Sequence, residues 1–204
     1  AQAAAGRLKG ASLELGGKNA ALVLSDADIP ATVRGMVRAS FASAGQLCVS
    51  MERIYVDRSI HDEFVAAFVP AVAEINVGVG FGWDLEMGSL ISQQAIDNVE
   101  AHVADARSKG AVVLTGGHHR PDLGPYVYEP TVLAQVTLAM ECFGDETFGP
   151  LVSIYPIDSD AHGVALANAT KYGLNSSVWT GSERRGAAVA AQLRSGLVNI
   201  NEGY

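Results

Sequence analysis

Beyond Gly149-Pro150 the chain alternates short apolar runs with helical stripes, and that order restricts it to few architectures. Leu151–Ile157 reads as a strand, 161–169 as a helix, 176–180 as a strand, 185–194 as a helix and 197–201 as a strand. A helix between two strands carries the chain back along the sheet, so neighbouring strands pair parallel and the helices cover the faces. The N-terminal half follows the same order. Asp28 caps a helix with Pro30 in its first turn that runs to about Ala44. Ile54-Tyr55-Val56 reads as a short strand, and Phe64, Phe68, Val72 and Ile75 recur along one helical face. Ile96, Val99, Val103 and Ala106 do the same before Gly110 stops that helix and a strand begins over 111–114. The expected fold is α/β, a largely parallel sheet flanked by helices, with residues 1–204 as one domain.

With 204 residues, 49 % hydrophobic and 18 % charged, the chain can bury an ordinary core and lacks the composition of a disordered segment. A net charge of −8 and a pI near 5.0, with basic residues scattered, argue against a nucleic-acid or anionic-membrane surface. Small molecules are the expected partners. No apolar run approaches the ~18 residues of a membrane-spanning helix. Only Cys48 and Cys142 are present, too few for a disulfide framework, so the expected setting is a reducing one, the cytoplasm. The chain begins without Met and stops at Asn201-Glu202-Gly203-Tyr204 directly after a strand, which reads as a fragment of something longer.

Cys48 ends Gly45-Gln46-Leu47-Cys48, a connecting turn rather than the interior of an element. As a bare residue a lone cysteine is a small buried hydrophobe. Here Gly45 permits a tight turn, Gln46 adds a polar partner, and the Cys48 N–H could stabilise an oxyanion on an attacked carbonyl. The thiolate is the reactive form, so such chemistry needs a base or a cation close by. Glu14 lies 34 residues earlier, between Leu13 and Leu15 on a strand-like segment. Alternation alone would set Glu14 on the wet face of a half-buried strand. A carboxylate kept from full hydration would instead suit activation of water, and Gly16-Gly17 removes side chains where something must approach the backbone. Glu146-Thr147-Phe148-Gly149-Pro150 sets an acid and an aromatic beside a rigid turn, a loop as a bare pattern. Gly78-Val79-Gly80-Phe81-Gly82 lacks the spacing of a dinucleotide fingerprint, His118-His119 reads as a solvated loop, and Cys142 reads as core or a secondary thiol.

Together these residues make the chain recognisable: it resembles the catalytic domain of the aldehyde dehydrogenase superfamily over essentially its whole length. The Glu14 motif, the Gly-Gln-x-Cys motif, their separation, Met87-Gly88 and the Glu146 motif occur in the family's order. The resemblance implies that Cys48 is the nucleophile and Glu14 the general base. It implies that Glu146 and Phe148, with Leu15 and Gly16, contact a nicotinamide cofactor, NAD or NADP. The implied reaction oxidises a small aldehyde through a thiohemiacetal and a thioester that water hydrolyses; relatives that pass the acyl group to coenzyme A look different at the position of Glu14. The flanks of Cys48 resemble bacterial succinate-semialdehyde dehydrogenases. Some of those carry an arginine where Ala42 stands, so a substrate carboxylate needs another anchor, and nearby Arg53 reads as a structural ion pair or an exposed face. Ser43 stands where many members have Asn. By the same resemblance a nucleotide-binding domain precedes Ala1, residues 1–6 end its last helix, oligomerisation segments follow Tyr204, and the full-length protein is a homo-oligomer. Two alternatives remain at this stage: a catalytically inactive structural or binding protein on the same fold, and thiol-ester chemistry without nicotinamide, which leaves Glu146-Thr147-Phe148 unexplained.

Overall fold

The computed structural model describes residues 1–204. The sheet grows from its most apolar runs. Strands β1 (Asn19–Val23) and β6 (Asn175–Trp179) are buried at every position, and β2 (Met51–Asp57) nearly so. Strands buried on both faces belong in the middle of a covered parallel sheet, and β1 pairs parallel with β2 on one side and β6 on the other. Strand β5 (Leu151–Ile157) pairs parallel with β2, and β4 (Thr131–Ala134) parallel with β5. Strand β3 (Val112–Thr115) adds one edge antiparallel to β4, and β7 (Leu197–Ile200) the other edge, parallel to β6. The order is β3-β4-β5-β2-β1-β6-β7. The fold is therefore α/β with a largely parallel sheet.

Helices cover both faces. Besides the short α1 (Gln2–Ala5), they are α2 (Ile29–Phe41), α3 (His61–Ala73), α4 (Gln93–Ser108), α5 (Glu141–Gly144), α6 (Asp160–Asn168) and α7 (Glu183–Ala190). Gly35 of α2 abuts the Trp179 ring, whereas Gly163 of α6 abuts Leu22 and Ile157. Trp179 pairs with Val23, one residue from Leu22, and successive strand residues point to opposite faces, so α2 and α6 lie on opposite sides. Asp28, Ser92, Ser159 and Ser182 cap α2, α4, α6 and α7 through side-chain oxygens that accept backbone N–H groups.

The structure corrects the sequence reading in several places. The helix expected to reach Ala44 ends at Phe41 and passes into a single 3-10 turn, because Ser43 and Ala44 adopt left-handed backbone. Leu13-Glu14-Leu15 is not a strand; all three residues are exposed, and pairing starts only at Asn19 opposite Met51. Strands β1 and β4 had no counterpart in the sequence reading. Residues 1–6 do contain a helical turn, α1. Arg53 is neither in an ion pair nor exposed. Only 1 % accessible, it donates to the Lys18 carbonyl (2.7 and 3.0 Å), to Leu166 and Ala167 at the end of α6 (3.2 and 3.1 Å), and to the Tyr55 hydroxyl (3.1 Å). It thus adds to the acceptors at the α6 C-terminus, where Leu166 already accepts from Ala169 N, and ties that end to the segment entering β1.

Removing that guanidinium takes hydrogen bonds from the Lys18, Leu166 and Ala167 carbonyls and the Tyr55 hydroxyl at once. Arg53→Ala is expected to lower stability by about 2–4 kcal/mol in urea denaturation, and Arg53→Lys to recover little, since one ammonium cannot span the same acceptors. A loss within experimental error for Arg53→Ala would contradict this account.

Candidate active site

The segments carrying Gly16–Lys18, Cys48–Ser50, Gly149-Pro150 and Gly173-Leu174 each run directly into a parallel strand: β1, β2, β5 and β6. Those strands are neighbours in the order β5-β2-β1-β6, so their four entry segments meet at the amino ends of the central sheet.

The Cys48 segment leaves α2 through three successive residues with positive φ: Ser43 (53°), Ala44 (54°) and Gly45 (71°). Left-handed backbone is costly for residues with a Cβ and persists only where surroundings hold it. Gly45 lies so close to the Gly149 carbonyl that no Cβ would fit, which joins this turn to the Glu146 loop. Gln46 bonds to the Ser43 and Ser89 carbonyls (3.0 and 3.3 Å) and accepts from Ile91 N (2.9 Å), pinning the turn to the segment after Met87-Gly88. Ser43 is where the resembling family often carries Asn, a residue that tolerates left-handed backbone better than Ser.

Two buried asparagines then fix the backbone around Cys48 from behind. Asn19 Nδ2 donates to the carbonyls of Cys48 and Ser50, both at 2.8 Å, while its Oδ1 accepts from Asn175 N at 3.1 Å. Asn175 Nδ2 donates to the Val49 carbonyl at 3.2 Å. Cys48 itself is half-buried and free of any disulfide, as is the buried Cys142, whose thiol burial pushes up from its ordinary range.

Cys48, Glu14, Leu15 and Gly16 line one open cleft of about 750 Å³, with Leu13 and the Lys171–Leu174 turn completing the wall. Glu14 is exposed there rather than shielded by Leu13 and Leu15, which are exposed themselves. Glu146 comes to the same place from far along the chain. Its Oε1 accepts the Gly17 N–H at 2.7 Å, and its carboxylate lies where a Cβ on Gly16, at φ 71°, would stand. Burial pushes the Glu146 pKa up, opposed by the Gly17 hydrogen bond. Phe148, at φ 52°, keeps 42 % of its surface exposed.

Beneath these groups lies a polar cluster that the sequence reading missed. Lys18 and Glu52, 3 % and 5 % accessible, form a buried ion pair. Glu52 also accepts from the backbone N–H groups of Thr147 (3.0 and 3.1 Å) and Phe148 (3.2 Å). Thr147 Oγ1 lies 3.0 Å from His102 Nδ1, and Asn98 Nδ2 donates to the Thr147 carbonyl at 2.8 Å. One signal was available: Lys18 and Glu52 stand four residues after Glu14 and Cys48, so opposite charges repeat the 34-residue separation of the motif residues.

His102 makes this cluster sensitive to acid. Burial lowers its pKa below the ordinary 6.5, the Lys18 charge acts in the same direction, and the carboxylates of Glu52, Glu141 and Asp145 oppose both. The unfolded chain therefore takes up a proton near pH 6.5 that the native chain resists, so stability falls as pH drops below that value. Urea midpoints compared at about pH 7.5 and about pH 5.5 should fall more for the wild type than for His102→Gln, and equal falls would assign the acid sensitivity elsewhere.

Residues 1–204 match the aldehyde dehydrogenase family model. A Mycolicibacterium smegmatis protein provisionally named succinate-semialdehyde dehydrogenase (NADP+) is 52 % identical over 198 residues, 97 % of this chain and 38 % of its own length. A similarly named Sinorhizobium fredii protein is 41 % identical, covering 97 % of this chain and 40 % of its own. Among solved structures, betaine aldehyde dehydrogenase from Staphylococcus aureus in complex with NAD+ superposes with a TM-score of 0.91 at 34 % identity, covering 98 % of this chain and 40 % of that one. The chain spans about two fifths of the length of the relatives it matches. On its sequence along the whole described length and on its fold, the chain belongs to the aldehyde dehydrogenase family.

Proposed function

We propose that the protein containing this chain oxidises an aldehyde to a carboxylic acid with NADP+ or NAD+ as electron acceptor, and that residues 1–204 are its thiol-bearing catalytic domain. The observation that carries this reading is the convergence of Cys48, Glu14 and Gly16 on one cleft, with Glu146 bonded to Gly17 at its side. The Cys48 thiolate adds to the aldehyde carbon, giving a thiohemiacetal whose oxyanion the Cys48 N–H can meet, while Asn19 holds the Cys48 carbonyl. Loss of a hydride from that carbon leaves a thioester on Cys48. Glu14, open to water in the cleft, takes a proton from the water that attacks the thioester, and the acid leaves as the thiol is restored.

The residues beside the cleft fit a nicotinamide ribose and ring. Glu146 spends one oxygen on Gly17 and lies against a glycine without a Cβ, so its second oxygen can accept from a ribose hydroxyl. Phe148 and Leu15, 42 % and 75 % exposed, offer apolar surface to the ring. When bound, the dinucleotide supplies the two-electron acceptor for the hydride. The relatives' names favour NADP+, and NAD+ is bound in the Staphylococcus aureus neighbour.

Those names also support succinate semialdehyde as the substrate. Its carboxylate would not be met by Ala42 or by Arg53, which is buried against carbonyls; the cation lining the cleft is Lys171, paired with Asp145 at 2.7 Å. Cytoplasmic residence suits the two unpaired thiols. Assembly of the full-length protein into a homo-oligomer belongs to the same reading.

The test is reduced-nicotinamide absorbance with succinate semialdehyde and either nucleotide, using the protein that contains this chain. Failure to reduce both nucleotides with any aldehyde, while Cys48 still reacts with iodoacetamide, would favour thiol-ester chemistry without nicotinamide. Cys48→Ala should abolish both aldehyde oxidation and ester hydrolysis; near-normal turnover by the folded variant would sink the mechanism. Glu14→Gln should preserve a burst of reduced nucleotide but slow the following turnover by roughly two orders of magnitude. Equal losses in burst and steady state would remove Glu14 from deacylation.

A further inference from the structure

Glu52 has no part in the chemistry above, yet its carboxylate is 5 % accessible and bonded wholly to the other two motifs. It pairs with Lys18, directly after Gly16-Gly17, and accepts from the N–H groups of Thr147 and Phe148, directly after Glu146. A carboxylate so far from water is costly unless hydrogen bonds fill its lone pairs. Consecutive backbone N–H groups turned toward one acceptor fix the peptide planes on both sides of Thr147. That sets the directions in which the Glu146 and Phe148 side chains leave the loop, and Phe148 is held at φ 52°, a conformation that bulky residues seldom adopt unaided. Of the remaining polar contacts, those from Asn98, His102 and Lys18 address Thr147, and the Gly17 N–H holds the end of the Glu146 side chain without fixing the peptide planes of the loop. Fold stability does not demand such a pair, because apolar residues of similar volume often replace a buried ion pair without loss.

We propose that Glu52 is a positioning residue for the cofactor. Through the Thr147 and Phe148 amides it holds Glu146 and Phe148 in the geometry that receives the nicotinamide ribose and ring, with Lys18 as its ion-pair partner in the interior. The proposal rests on the role given to Glu146 and Phe148 in the function proposed above.

Two double variants of the protein containing this chain isolate the acceptor. Lys18→Met with Glu52→Gln and Lys18→Met with Glu52→Leu both remove the two charges, and only the first keeps a side-chain oxygen able to accept from the loop amides. Both should fold and react with iodoacetamide at Cys48 as the wild type does, since the Cys48 and Val49 carbonyls are held by Asn19 and Asn175. Without nucleotide, the leucine variant should exchange its Thr147 and Phe148 amide hydrogens at least roughly tenfold faster, as loss of a charge-assisted hydrogen bond implies. With nucleotide, it should show a raised KM for NADP+ and a hydride burst slowed by roughly 100-fold, the scale expected for misplaced groups. The glutamine variant should recover most of both. Indistinguishable glutamine and leucine variants would overturn the proposal, as would a leucine variant whose loop amides stay protected or whose Cys48 labelling falls in step with the burst. A wild type that reduces neither nucleotide overturns the functional reading itself. A wild type that reduces NADP+ beside an equally active leucine variant overturns only the role of Glu52.

Discussion

The buried pair of Lys18 and Glu52 is the interaction on which the arrangement of the site depends. Loops at a strand's entrance have no ladder partners for their peptide groups, and burying them requires other donors and acceptors. Glu52 supplies an acceptor to Thr147 and Phe148, and Lys18 neutralises it. Because Lys18 follows the Glu14 motif, Glu52 follows Cys48 and Thr147 follows Glu146, one buried pair couples three segments that are distant in sequence. Asn19 and Asn175 do the same for neutral groups, closing the carbonyls of Cys48, Val49 and Ser50.

This cluster occupies the unusual end of the sheet. Open parallel sheets generally bind ligands beyond the carboxyl ends of their strands. In this chain those ends are spanned by Arg185, bonded to Asp160 and Asp26, and by Arg58 paired with Asp158. The amino ends instead gather the glycine-rich entries and the left-handed residues Ser43, Ala44, Gly45 and Phe148. Strain of that kind survives only where neighbouring groups determine the backbone. Gln46, the close approach of Gly45 to Gly149, and Glu52 provide that determination.

The two sides of the cleft are built differently. Cys48 is half-buried with its own carbonyl and the next two held by asparagine side chains, so its backbone is fixed before anything binds. Glu14 sits on an exposed segment before β1 begins, carrying no strand pairing. A fixed thiol and a water-accessible carboxylate are what the proposed covalent attack and hydrolysis require, in that order of demand on geometry.

The sequence by itself determined the αβ alternation and most of the strands and helices after Gly149-Pro150, because apolar period and turn residues are local signals, while Cys48, Glu14 and Glu146 stood out through the resemblance of their motifs to a family. It misread Leu13–Leu15 as strand-like, since alternation over three residues carries no information about whether a partner strand is in reach. It passed over Asn19–Val23 and Thr131–Ala134 and overran the helix at Phe41. Whether Ser43 and Ala44 continue a helix is decided by what holds them from elsewhere, not by their own propensity. Tertiary structure alone decided that Arg53 is buried against carbonyls, that Glu14 faces water, and that Lys18, Glu52, His102 and Thr147 form one cluster. Those outcomes follow from contacts between residues 34 to 129 positions apart, and desolvation of a charge is a property of the assembled neighbourhood rather than of any segment.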